Sequence, residues 1–215
     1  MKPTTIEVAF SVHRETWNTG TFSIKQPAMT AYWLKQGKLT RNHQTVEQGT
    51  GIYATPQTEL SVATTCEVVR FSIQRESIAA ANPLCCSSVE VLNKSCRVTA
   101  GDRLFRLDRV DFPPNAVAWR HTHPGPGIRY SIAGALTIHS DHGSQHFREG
   151  EAWFEDVNSP VQATADSTIQ SGFVRMMLLP TEYFGQSTFH LADEADAHKP
   201  RLQTNVRYVD ELITL

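Results

Sequence analysis

The feature that most constrains how this chain can fold is a faint internal repeat. Tyr32-Trp33-Leu34-Lys35-Gln36-Gly37-Lys38-Leu39-Thr40 resembles Tyr130-Ser131-Ile132-Ala133-Gly134-Ala135-Leu136-Thr137, with one residue inserted. Gly49-Thr50-Gly51-Ile52-Tyr53-Ala54 lines up with Gly150-Glu151-Ala152-Trp153-Phe154-Glu155, and Val68-Val69-Arg70-Phe71 with Phe173-Val174-Arg175-Met176. The three matches keep their order in both halves, so two copies of one unit joined by a linker account for them. Each copy reads as short apolar-alternating runs broken by Gly, Pro, Asn and Asp, the pattern of an all-β sandwich or barrel. Predicted strands include 21–25, 31–34, 51–54, 67–73, 104–110, 116–122, 128–132, 135–139, 151–155 and 172–179. Residues 75–94, interrupted by Pro83, read as a linker with one or two helical turns. The fold expected is a tandem pair of β-barrels.

Composition excludes some partners. The chain has 215 residues, with 20 Lys+Arg against 22 Asp+Glu. A formal charge of −2 gives no general attraction to phosphate backbones or anionic membranes, so neither nucleic acid nor a lipid surface is expected. No run approaches the roughly 20 apolar residues that cross a bilayer, and the first residues lack the apolar core of a secretory signal. Cys66, Cys85, Cys86 and Cys96 form no CxxC pair, which fits reduced thiols in a cytoplasmic protein. Dinucleotide, P-loop, serine-hydrolase and HExxH motifs do not occur.

The sharpest chemical signal is Ala118-Trp119-Arg120-His121-Thr122-His123-Pro124. Residues two apart on a strand share a face at roughly 7 Å, so two imidazoles placed this way can converge on one ion. The alternative is a pair of histidines ending a strand in water. The corresponding positions before Tyr32 are Ser23 and Lys25, so the first copy reads as a structural partner and the second as the active one. By parity Trp119 shares the face of His121 and His123, and Tyr130 follows on the next strand. Trp153 shares a strand face with Glu155. Arg175, sharing a face with Phe173 and Met177, needs an anion if buried, either Glu155 or an acidic ligand; the matching Arg70 favours a structural pair. His139, His142 and His146 surround Asp141-His142-Gly143-Ser144, which reads as a solvated hairpin. Val206-Arg207-Tyr208-Val209 reads as a strand added to a sheet edge, in this chain or across a dimer.

The stretch HTHPGPGIRYSIAG resembles the first motif of the cupin superfamily, and residues 150–165 fall where that superfamily has its second motif. The resemblance covers 99–180, with an echo over 10–75. It implies tandem cupin barrels (double-stranded β-helix, jelly roll) with a degenerate first copy. The domains expected are 1–75, a linker 76–98, an active barrel 99–182 and a C-terminal extension 183–215. It also implies a homodimer and a divalent ion (Fe, Zn, Mn or Ni). The superfamily hosts dioxygenases, isomerases, lyases, storage proteins and sensors, so it fixes no reaction. The departures are specific: Gly127 stands where the family places a ligand glutamate, and Val161 or Gln162 where it places a third histidine. The expected site therefore has His121 and His123 on the metal, Gln162 or Glu155 completing the shell, and Glu155 as general base. Trp119, Tyr130, Trp153 and Arg175 would contact a small oxygen-rich or aromatic molecule that is bound or transformed. The alternative is a non-catalytic ligand-binding or regulatory cupin with a degenerate metal site.

Overall fold

Period-two burial is the rule along this chain. In β1 (Thr5–Trp17) Val8, Phe10 and Val12 are wholly buried, and past a bulge between Val12 and His13 the buried set resumes at Glu15 and Trp17. The computed structural model describes residues 4–24, 29–75 and 87–215. It divides into two units, 1–100 and 101–215.

After β1, the first unit contains β2 (Gly20–Ser23), β3 (Met29–Gln36), β4 (Leu39–Arg41), β5 (Gln44–Val46), β6 (Gly51–Ala54), β7 (Glu59–Val62), β8 (Cys66–Arg75) and β9 (Ser87–Thr99). They form two antiparallel sheets in the orders β6-β3-β8-β1-β9 and β2-β7-β4-β5. The second unit contains β10 (Asp102–Phe112), β11 (Val117–Thr122), β12 (Gly127–Ala133), β13 (Ala135–Ser140), β14 (Gly143–Arg148), β15 (Ala152–Glu155), β16 (Val161–Ala165), β17 (Ser171–Leu179), β18 (His190–Leu191) and β19 (Thr204–Thr214). Its sheets run β15-β12-β17-β10-β19 and β14-β13-β16-β11-β18. The two orders match element for element, and among the described residues only β18 lacks a counterpart. This is a tandem all-β jelly-roll pair. Among the described residues no helix is long and apolar enough to cross a membrane.

Two expectations change. Residues 87–98, read as part of the linker, are the body of β9, and the rest of that reading (76–86) lies outside the described residues. β9 and β19 are the same edge strand in the two copies. Each is largely exposed on both faces, so β9 carries no alternation from which a strand is read, and the sequence marks only 206–209 of β19. β19 pairs with β10 of its own chain. The repeat also shifts by one position. Tyr32 stands opposite Arg70, and Arg129 stands opposite Arg175, so the partner of Tyr32 in the second copy is Arg129, not Tyr130. The β6 and β15 match keeps its register, with Ala54 equivalent to Glu155.

Glycine is required at the entry to β12. A Cβ on Gly125 would lie 2.0 Å from the Leu178 carbonyl oxygen, and one on Gly127 would lie 2.3 Å from that of Met176. No side chain fits there without separating β12 from β17. The absence of a glutamate at 127 is therefore a packing requirement of this barrel.

The interior of the first barrel is apolar. Trp17, Ile24, Tyr32, Leu34, Leu39 and Leu60 belong to one buried cluster that also takes in Ile52, Ala54 and Val68. The second barrel has an apolar cluster around Phe112, Leu136, Trp153 and Phe173, but its interior also holds a void.

Candidate ligand-binding site

That void is a cavity of about 330 Å³ inside the second barrel. β10 contributes Arg106 and Asp108, β11 His121, β12 Arg129, β15 Trp153 and Glu155, β16 Val161 and Ala163, and β17 Phe173 and Arg175. His123, just past β11, lines it too. The segment after β17 supplies another wall through Thr188, Phe189, Arg201 and Gln203. The equivalent stretch of the first unit is only residues 76–86, so residues 180–203 are an insertion particular to this copy.

The charged groups pair locally. Arg175 donates from Nε and Nη2 to the two oxygens of Asp108, at 2.7 and 3.0 Å, its direct neighbour across β10 and β17. Asn205 also donates to Asp108 Oδ2, at 3.0 Å. Arg129 lies 2.6 Å from Glu155 through Nη2, an ion pair without hydrogen-bond alignment, and donates from Nη1 to the Gly127 carbonyl at 2.7 Å. Trp153 Nε1 donates to the other Glu155 oxygen at 2.8 Å. Burial pulls the Arg129 guanidinium down to about 10, partly countered by Glu155, so it stays charged near neutrality.

Both histidines hold the inserted segment. His123 Nδ1 is 2.8 Å from the Thr188 carbonyl oxygen, which only accepts, so the ring proton sits on Nδ1. The Nε2 lone pair then accepts from Arg175 Nη1 at 3.0 Å. The ring of His121 stacks on Phe189 at 4.2 Å and 18°, while its Nδ1 donates to the Trp119 carbonyl at 2.8 Å. β18 extends this anchorage by pairing Leu191 with His121. Desolvation drives the His121 imidazole down to about 4, and burial with the adjacent arginines holds His123 well below its ordinary value. Both rings are neutral at neutral pH.

The expected site residues are placed as follows. His121, His123, Glu155, Trp153 and Arg175 all line the cavity. Gln162 does not: Val161 and Ala163 face the cavity, and Gln162 lies on the opposite face of β16, in register with His139. Trp119 is also outside. The β11–β16 register slips between Ala118 and His121, so the bulge puts Ala118 and His121 on the cavity face while Trp119 turns outward. There its indole donates to the Pro200 carbonyl at 3.0 Å and carries Lys199 over its ring at 4.2 Å. Tyr130 is buried on the face of β12 opposite Arg129 and is not part of the cavity wall. The expected alternative partner of Arg175, Glu155, is taken by Arg129.

A divalent ion does not fit these residues. The His123 Nε2 lone pair faces a guanidinium, both Glu155 oxygens are engaged, and Gln162 points away. Among the described residues no three His, Cys, Asp or Glu side chains converge as a metal group would require. The hairpin histidines instead bond to strand neighbours, His139 to Ser144 at 2.7 Å and His146 to Thr137 at 3.1 Å. Asp108, Arg129 and the inserted segment were missed from sequence. A usable signal was present in Leu104-x-Arg106-x-Asp108-x-Val110, where charges occupy apolar-phase positions.

No protein-family model and no curated protein matches the chain. Solved structures do match by shape. The putative glyoxylate induced protein of Pseudomonas aeruginosa aligns over 80% of this chain and 75% of its own, with TM-score 0.57 and 10% identity. Bacillus subtilis oxalate decarboxylase, as a two-residue deletion mutant, aligns over 93% and 74%, with TM-score 0.53 and 9% identity. AerE of Microcystis aeruginosa aligns over 80% and 88%, with TM-score 0.55 and 11% identity. These likenesses establish the fold.

Proposed function

We infer, from a chain that carries the cupin fold twice, that its second barrel is a receptor site for a small organic acid rather than a metal centre. One observation carries this reading: five arginines line the cavity against two carboxylates, and each of those carboxylates is already held by an arginine. Arg106 and Arg207 share Asp210 outside the wall, which still leaves positive charge in excess. Neutral His121 and His123 neither add to it nor offset it, and among the described residues no further carboxylate lines the cavity. In a partly desolvated hollow, a carboxylate gains far more from such charge than it would in water. The volume, about 330 Å³, suits a molecule of metabolite size.

The polar groups are fixed before a ligand arrives. Arg175 is clamped by Asp108 and by His123, and Arg129 by Glu155 and the Gly127 carbonyl. Little side-chain ordering is then left for binding to oppose. The apolar remainder of the wall, Phe112, Trp153 and Phe173, excludes water from an organic body. Calorimetric titration of the full chain with a small carboxylic acid and with its neutral amide tests the reading. The acid is expected to bind at least about tenfold more tightly. Equal affinity for acid and amide would overturn it.

A further inference from the structure

We propose that the ligand is a hydroxylated aromatic acid, a specification that rests on acid binding at this same cavity. The acidic end follows from the charge excess, and the remaining wall specifies the rest. Among the described residues Arg201 faces no carboxylate, its guanidinium lying over the Phe189 ring at 4.9 Å. The ring-shaped body follows from the aromatic wall: Trp153, stacked on Phe147 at 4.8 Å, meets Phe173 edge to face at 5.3 Å, and both line the cavity, where a ring can pair with them offset or edge-on.

The hydroxyl follows from acceptors left without donors. His121 Nδ1 carries the proton, because it faces a carbonyl oxygen, so Nε2 presents a bare lone pair. No described side chain or backbone N–H donates to it. Gln203 Oε1, from another residue of the wall, is buried without a hydrogen-bond partner. A buried acceptor left unmatched is costly, and a carboxylate cannot relieve it, since it only accepts. A hydroxyl donates, and a ligand bearing both groups satisfies the cationic wall and the acceptor wall together.

The test is calorimetric titration of the full chain, near neutral pH, with benzoate, 3-hydroxybenzoate, 4-hydroxybenzoate and 4-hydroxybenzyl alcohol. At least one hydroxybenzoate is expected to bind about tenfold more tightly than benzoate, the worth of one well-placed hydrogen bond. His121→Phe, which keeps a ring against Phe189, and Gln203→Leu are each expected to shrink that ratio toward unity. Thermal unfolding of both variants confirms that they fold. Benzoate binding as tightly as both hydroxybenzoates would overturn the hydroxyl assignment and leave acid binding standing. The alcohol binding as tightly as the acids would overturn acid binding itself. No binding by any of the four would overturn both.

Discussion

The two barrels share a strand order but not an interior. In the first, the position equivalent to Arg129 is Tyr32 and the position equivalent to Glu155 is Ala54, and both belong to a buried apolar cluster. In the second, the same two positions carry an ion pair beside a cavity. What both retain is one buried arginine on the central strand. Arg70 is held by Glu15 at 2.7 Å and Arg175 by Asp108 at 2.7 Å. The central ion pair is thus part of the scaffold, and the second arginine with its carboxylate is what opens the hollow.

That comparison breaks most readily at the shared element. Glu15→Ala strands Arg70, and Asp108→Ala strands Arg175. Each is expected to lower the unfolding free energy by about 3–5 kcal/mol, because a buried charge loses its partner. Urea unfolding checks both; a loss in one barrel alone would show that the pair is not common scaffold.

A second distinction is in pH response. The His121 pKa falls to about 4 in the folded chain from an unfolded value near 6.5. The unfolded state therefore binds the proton first, and stability falls as pH drops from about 6.5 to 4, by up to about 3 kcal/mol. His121→Phe removes the His121 share of this slope, while the share from His123, also lowered by burial, remains. Denaturation midpoints followed across that range in wild type and variant measure it; identical slopes would contradict burial of a neutral ring.

The smallest contrast concerns space. Ala54→Leu in the first barrel is expected to cost about 1–3 kcal/mol by overpacking, while Ala163→Leu in the hollow one costs less than about 1 kcal/mol. The same Ala163→Leu substitution should weaken acid binding by taking up cavity volume. Equal destabilisation at the two alanines would mean that the second interior is as full as the first.

Much of the fold was legible in the sequence because buried strands alternate, and Ile52, Trp153 and Val174 lie where the repeat puts them. Of the edge strands, β9 was not, since it faces solvent on both sides and shows no period, while β19 was legible only at 206–209. The His121 and His123 pair pointed correctly to the cavity. Parity failed one step earlier, at Trp119, because a bulge adds a residue that spacing alone does not reveal. The partners of the two histidines were hidden for a different reason. Thr188 and Phe189 come from the insertion after β17, some sixty residues downstream, and only the tertiary fold sets them against the imidazoles. Spacing suggested two lone pairs on a common centre, whereas the fold commits one of them to Arg175.

The most direct test is a titration of the full chain with a hydroxybenzoate, carried out first in excess EDTA and then with added zinc or iron(II). Saturable binding in EDTA, unchanged by added metal and lost in Arg129→Met, is the result expected of a cationic hollow. Binding that appears only when metal is supplied, and disappears in His123→Ala, would contradict it.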